Sequence, residues 1–311
     1  MMKKLYIEPT SICNLNCRIC FRNNWFDEKQ GVMSDEVLQK VYMYINESNE
    51  LETVMLAGMG EPLLHKKSVE IVKQISLSCK KAELLTNGTL LDKKMCDNLI
   101  MAGLDTLWIS CDEAHVESAE SSVKTLKNIE YFNSIRKNKC KLGFTFVVED
   151  ACMDKIYEFA KKFYADEINI SGVIPSVPVN DICSINTILG ENDTLYKNYC
   201  PFRGEEKCFV KWNGDVSPCM QLLHSSYTYL FEEKRKVTAY SFGNLSEKSL
   251  EEIWNSKKYR EFRKKVKNFE FPDCTLCDGC DDRLENKTDC MFNEMPTCGA
   301  CLWAQNIARC P

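Results

Sequence analysis

Cys13, Cys17 and Cys20 form a C-x3-C-x2-C array, CNLNCRIC, on the loop that follows the first predicted strand. Thiolates suit iron–sulfur centres and are usually counted in fours, so three are one too few to close a four-iron cluster. A cubane held by three cysteines keeps one iron open, and an open iron can bind a substrate or cofactor. The competing readings fit less well. A structural zinc site wants four ligands, commonly as paired C-x2-C knuckles or with histidine. The chain has only three histidines (His65, His115 and His224), and none is near the array in sequence. A disulfide framework needs an oxidising compartment.

At 311 residues the chain can bury a full core and exceeds the usual size of one domain. It carries 45 acidic and 40 basic residues, a net charge of −5, which gives no nucleic-acid footprint. The opening MMKKLYIEP has two lysines but no apolar h-region, so no signal peptide is visible. No apolar stretch reaches the length of a membrane span, and a cytoplasmic location is expected. In that compartment 19 cysteines are better explained by metal ligation than by disulfides. Ten of them fall between Cys200 and Cys310. Oxygen sensitivity follows, because exposed sulfide-bridged iron is readily oxidised.

Short apolar runs alternate with helix-period segments along the first part of the chain. Strands are expected at Lys4–Glu8, Thr53–Ala57, Ala82–Thr86, Asp105–Ser110, Leu142–Glu149 and Glu167–Ser171. Between the first two, Val37, Leu38, Val41 and Ile45 recur at helical spacing. Ser34 with Asp35 and Glu36 predicts that helix's start, Asp92 caps a later one, and Gly103 stops it. Strands alternating with helices imply an α/β fold with a parallel sheet and right-handed crossovers. Six units, not eight, predict a partial, open (β/α)6 barrel, with chemistry at the C-terminal ends of the strands. After Ile174 the segment PSVPVNDICSINTILGEND reads as a linker, which divides the chain into a barrel at 1–190 and a cysteine-rich domain at 191–311. Within the latter, SLEEIWNSKKYREFRKKVKN reads as one helix, with Leu250, Ile253, Trp254 and Phe262 on its apolar side. Its basic run, Lys257 to Lys267, reads as a solvated face.

Three polar motifs end predicted strands. Gly58-Met59-Gly60-Glu61-Pro62 ends the second, Thr86-Asn87-Gly88 the third and Ser110-Cys111-Asp112 the fourth. Glycines let a backbone approach a ligand closely. Ser110 and Asp112 share a face, and Cys111 points the other way as a small core residue. Together, the cysteine array and the GMGEP turn resemble those of the radical S-adenosylmethionine (SAM) enzymes. The resemblance implies that Cys13, Cys17 and Cys20 hold a 4Fe-4S cluster whose open iron binds SAM. It further implies that Gly58, Met59, Gly60, Glu61, Asn87, Ser110 and Asp112 contact SAM, and that reductive cleavage yields a hydrogen-abstracting 5′-deoxyadenosyl radical. No histidine-based acid–base pair is then required. Asp112, Glu113, Glu149, Asp150 and Asp215 remain open as proton-transfer residues.

The distal cysteines are Cys200, Cys208, Cys219, Cys274, Cys277, Cys280, Cys290, Cys298, Cys301 and Cys310. The segment CFVKWNGDVSPC reads as a tight hairpin turning at Asn213-Gly214. With FGNLSEKSLEEIWNS it resembles the SPASM domain of radical SAM proteins, which implies two auxiliary four-iron clusters. The run Cys274-x2-Cys277-x2-Cys280 followed by Cys290 departs from that family's usual spacing. Ten cysteines exceed the eight that two full clusters need, and spacing leaves open which two are spare.

CFRNNWFDEKQGVM and the C-terminal CGACLWAQNIARCP are similar to the maturases of tungsten-cofactor oxidoreductases. That similarity implies action on the tungstopterin of an aldehyde ferredoxin oxidoreductase, with a low-potential donor such as ferredoxin or flavodoxin. Trp25 and Trp303 are each a pterin-stacking ring or, the commoner role, a packing residue. The alternative is a peptide or protein maturase forming formylglycine or thioether links. Only twelve residues precede Cys13, so no peptide-holding domain is expected ahead of the barrel, although sulfatase-type maturases also lack one. A ferredoxin-like electron carrier fails to explain Gly58–Pro62 or the alternating units.

Overall fold

The computed structural model describes residues 1–111, 119–137, 139–148, 153–172, 198–202, 206–230 and 232–305. Six parallel strands lead the fold: β1 (Lys4–Ile7), β2 (Thr53–Leu56), β3 (Lys81–Thr86), β4 (Thr106–Ser110), β5 (Lys141–Val148) and β6 (Glu167–Gly172). Between them run α1 (Asp35–Glu47), α2 (Ser68–Leu77), α3 (Lys93–Met101), α4 (Ala119–Arg136) and α5 (Met153–Lys162). Each strand pairs in parallel with the next, in the order β6-β5-β4-β3-β2-β1. Beyond β1 the sheet continues with β7 (Lys207–Val210), parallel to it, and β8 (Val216–Ser217), antiparallel to β7. The sheet does not close, as six units imply. A separate hairpin joins β9 (Ser226–Leu230) and β10 (Glu233–Val237).

Strand alternation sorts the two faces. Leu5, Ile7, Val54, Leu56, Ala82, Leu84, Leu107 and Ile109 are all fully buried in the main core. Their neighbours Tyr6, Met55, Glu83, Leu85 and Trp108 line a cavity on the other face, inside the barrel. Helix α1 starts as its sequence requires, with the Ser34 side chain accepting from the Val37 amide at 3.3 Å. That cap is worth about 1 kcal/mol. Burying Val37, Leu38, Val41 and Ile45 is worth about 1.5–3 kcal/mol for each side chain, so packing rather than capping fixes the helix. Asp92 caps α3 at the Met95 amide, and Gly103, with φ +87°, ends it.

One expected element differs. The stretch 249–268 is two helices, α6 (Leu250–Trp254) and α7 (Lys257–Asn268). Ser249 and Glu252 form a reciprocal capping box on α6, and Ser256 accepts from the Tyr259 amide to start α7. A second N-cap inside an apolar pattern restarts the chain in a new direction, and periodicity alone does not register it. Arg263 also leaves the expected solvated face. Its guanidinium lies 3.7 Å from the Trp254 ring centroid and donates to the Trp254 carbonyl at 2.8 Å. The expected linker, residues 175–193, lies outside the described residues.

Candidate functional site: two thiol-lined cavities

The C-terminal ends of the barrel strands open into one cavity. Cys13, Cys17 and Cys20 form one wall and Gly58, Met59, Gly60 and Glu61 another. Asn87 and Ser110 close it from β3 and β4. Every described residue expected at the SAM site is therefore gathered here; Asp112 lies outside the described residues. The lining also includes Thr86, Val147 and Ser171 at strand ends and, from the C-terminal part, Met220 and Trp303. Thr86 and Trp303 stand in stretches that the sequence singles out, but sequence reasoning passed over Val147, Ser171 and Met220, because nothing in their spacing marks them as site residues.

Close backbone approach explains the glycines. A Cβ on Gly60 would lie 2.2 Å from the Thr10 carbonyl oxygen, and one on Gly58 would lie 2.5 Å from Cγ of Glu8. Gly58 also has φ +136°, which side-chain-bearing residues rarely adopt. The turn is thus pressed against the root of the cysteine loop, and the Glu61 amide donates to the Ile12 carbonyl at 2.8 Å.

Glu61 itself is buried. Its carboxylate accepts from Thr86 Oγ1 at 2.7 Å, the Asn87 amide at 2.8 Å and the Leu63 amide at 3.0 Å. These bonds fasten the β2 turn to the end of β3. Asn87 fastens β3 to the cysteine loop in turn. Its Nδ2 reaches Asn14 Oδ1 at 3.0 Å and Cys13 Sγ at 3.8 Å. Arg22 completes the loop, donating to the Leu15 carbonyl at 2.9 Å and to Cys20 Sγ at 3.4 Å. Donors to sulfur are a known lever on cluster potential. Burial pushes the Cys13 thiol up, so metal binding there has to displace a proton.

A second cavity lies against β7 and α7. Four cysteines line it, Cys200, Cys219, Cys298 and Cys301, with Tyr259 and Arg263 on the α7 side. Cys298 is pushed well above the ordinary thiol value by burial first, then by the neighbouring thiols of Cys301, Cys200 and Cys219. Cys274, Cys277, Cys280 and Cys290 are carried by a separate stretch with two short 3-10 turns. Cys277 and Cys290 are exposed there, whereas burial takes Cys274 to about 11. Cys208 belongs to neither group. It sits fully buried in β7 opposite Leu5, within the main core. Strand alternation turns it away from the cavity, so the expectation that it binds metal does not match its place. Cys310 lies outside the described residues. Among the described residues no three His, Cys, Asp or Glu side chains are set to hold a single metal ion. The thiols stand around cavities, as donors to a larger inorganic group would.

Residues 7–162 match the radical SAM superfamily, and residues 200–281 match SPASM, an iron–sulfur cluster-binding domain. The chain belongs to the radical SAM superfamily. It is 32% identical, over its whole length and 97% of the other, to the tungsten-containing aldehyde ferredoxin oxidoreductase cofactor-modifying protein of Pyrococcus furiosus. Among solved structures it is similar to Streptococcus suis SuiB bound to SAM, with TM-score 0.64 and 16% identity, covering 90% of this chain and 71% of that one. It is also similar to anSMEcpe with bound SAM, with TM-score 0.59 and 19% identity, covering 86% and 84%. At those identities the likeness concerns the fold.

This radical SAM protein is an enzyme whose cofactors are 4Fe-4S clusters and SAM. The three thiols beside a glycine-lined backbone fit the first pair, and the four thiols of the second cavity fit a fully ligated cluster. Bound together, cluster and SAM supply one-electron cleavage to a hydrogen-abstracting radical. The chain's own residues position the loop and shape the cavity. Among the described residues no helix is long and apolar enough to cross a membrane.

Sequence reasoning missed a histidine. His224, remote from the array in sequence, is fully buried, and its ring stacks on Trp25 at 4.1 Å between centroids. One face of Trp25 is therefore taken by a neighbour inside the protein. Trp303 lines both cavities, and its buried indole N–H has no partner among the described residues.

Proposed function

We propose that this protein is a radical SAM maturase that modifies the tungstopterin cofactor of an aldehyde ferredoxin oxidoreductase. The observation that carries this reading is the similarity to the Pyrococcus furiosus cofactor-modifying protein, which runs from end to end of both chains. Cys13, Cys17 and Cys20 hold the SAM-binding cluster. The backbone of Gly58–Glu61 meets the SAM amino group, and Ser110 and Asp112 serve SAM from β4 and the segment after it. Cys200, Cys219, Cys298 and Cys301 hold one auxiliary cluster, and Cys274, Cys277, Cys280 and Cys290 a second. Cys208 and Cys310 are then the two spare thiols. A barrel at 1–190 and an iron–sulfur domain at 191–311 divide these tasks. The enzyme works in the cytoplasm with a low-potential donor such as ferredoxin or flavodoxin. Peptide modification has only fold-level support, from neighbours under 20% identical such as SuiB bound to precursor peptide SuiA.

The test is the mass of the pterin extracted from the host's tungsten oxidoreductase, with and without this gene. A changed pterin mass with an unaltered polypeptide is the expected result. An unchanged pterin would overturn the reading and turn the search to peptide substrates.

A further inference from the structure

Four charged side chains are buried together where the cysteine-rich part meets the barrel. Glu8 lies just past the end of β1, Glu28 on the segment after the cysteine loop, and Lys211 and His224 on the C-terminal part. Glu8 is 1% exposed and His224 0%. His224 Nε2 lies 2.9 Å and 3.0 Å from the two Glu8 oxygens, and Nδ1 lies 2.9 Å from Glu28 Oε2. Lys211 donates to the same Glu28 oxygen at 2.7 Å, and the Ser225 amide to the other at 2.7 Å.

Both ring nitrogens face carboxylate oxygens, and both can donate only in the imidazolium. Charge counting agrees. Two carboxylates against Lys211 and a charged His224 sum to zero, whereas a neutral ring would leave an uncompensated buried charge. Burial opposes the charge on His224, but the bonds to Glu28 and Glu8 outweigh it, and its pKa is raised. For Glu28 the cost of burial is likewise outweighed by His224 and Lys211, which hold it down at about 2.

Glu8 has another partner. Its Oε1 accepts from the Met59 amide at 2.9 Å, and its Cβ and Cγ pack directly under Gly58. One carboxylate thus supports the GMGEP turn from below while His224 holds it from the C-terminal part. We propose that His224 is a positioning residue for SAM binding, acting through Glu8 on the Gly58–Met59 backbone. The SAM site of the barrel is then complete only when the C-terminal part is docked on it. This rests on the reading that the GMGEP turn meets SAM.

The charged groups facing the ring among the described residues are Glu8, Glu28 and, through Glu28, Lys211. SAM affinity is therefore full below the raised pKa of His224 and falls as pH rises through it, when one N–H becomes a lone pair facing a carboxylate.

The experiment uses the full chain with its clusters reconstituted anaerobically, and reads SAM binding and 5′-deoxyadenosine formation across pH. His224→Gln is expected to raise KM for SAM about tenfold, the low end for outer partners of a site. The loss falls on KM more than on kcat, and the alkaline fall in affinity disappears. Glu28→Gln does not touch Met59, yet it removes one counter-charge from the ring. It is expected to move the alkaline limb about one pH unit lower. If His224→Gln does not fold, this shift decides the matter alone. An unchanged KM in His224→Gln, or an unmoved limb in Glu28→Gln, overturns the proposal. Failure of the wild type to bind SAM would instead overturn the underlying reading.

Discussion

The two cavities present thiols by opposite means. In the first, three cysteines come from one eight-residue loop, held by side chains and glycines at the ends of neighbouring strands. In the second, Cys200, Cys219 and the Cys298–Cys301 pair come from three separate stretches and meet over a small satellite core. The first geometry is set by a rigid parallel sheet, the second by packing between loops and short elements. A site built on strand ends is held more precisely than one assembled from loops.

Removing a thiol from the first loop gives the largest expected effect. Cys17→Ala should abolish 5′-deoxyadenosine formation, because the loop has no fourth thiol to replace it. A variant that still cleaves SAM at the wild-type rate would break the assignment. Nearly as large is Gly60→Ala, in which a methyl would be driven to 2.2 Å from the Thr10 carbonyl. The backbone has to move to admit it, separating the SAM turn from the cysteine loop. A loss of about a hundredfold in kcat/KM for SAM is expected, with the auxiliary iron retained.

The comparison is sharpened by a pair of cysteines in the C-terminal part. Wild-type protein should bind about twelve irons, three cubanes. Cys298→Ala should lower this to about eight while SAM cleavage persists. Cys208→Ala should leave the iron count alone and cost only stability, about 1–3 kcal/mol for a buried side chain. If both variants lose four irons, Cys208 is a ligand and the strand-register argument fails.

Legibility in the sequence follows the same division. The barrel was readable because its signals are local: alternation, caps at Ser34 and Asp92, and glycines at strand ends. The cysteine loop was readable for the same reason, since its three thiols are neighbours in the chain. The second cavity was not, because spacing cannot tell Cys208, which strand alternation sends into the core, from Cys219, which faces the cavity. His224 was the least visible. Its contact with Glu8 spans 216 residues, and neither side chain belongs to a motif. Glu61 and Asn87 were found by motif, but their side-chain bonds, which tie β2 to β3 and β3 to the loop, were not.

The smallest effect tests the looser cavity at its frame. Helix α7 walls that cavity with Tyr259 and Arg263, and its first turn depends on Ser256, whose side chain accepts from the Tyr259 amide. Ser256→Ala removes the acceptor and should cost about 1 kcal/mol. Because α6 and α7 are two helices, the cost should fall on α7 alone, as faster amide exchange in its first turn. Iron content and SAM cleavage should stay at wild-type levels, since the cap touches neither cavity's thiols. A continuous helix would show no such local change, because Ser256 would be one more interior residue with its amide and carbonyl already bonded. Equal loosening of α6 and α7 would therefore mean that the helices act as one unit, and that the second cavity is framed as rigidly as the first.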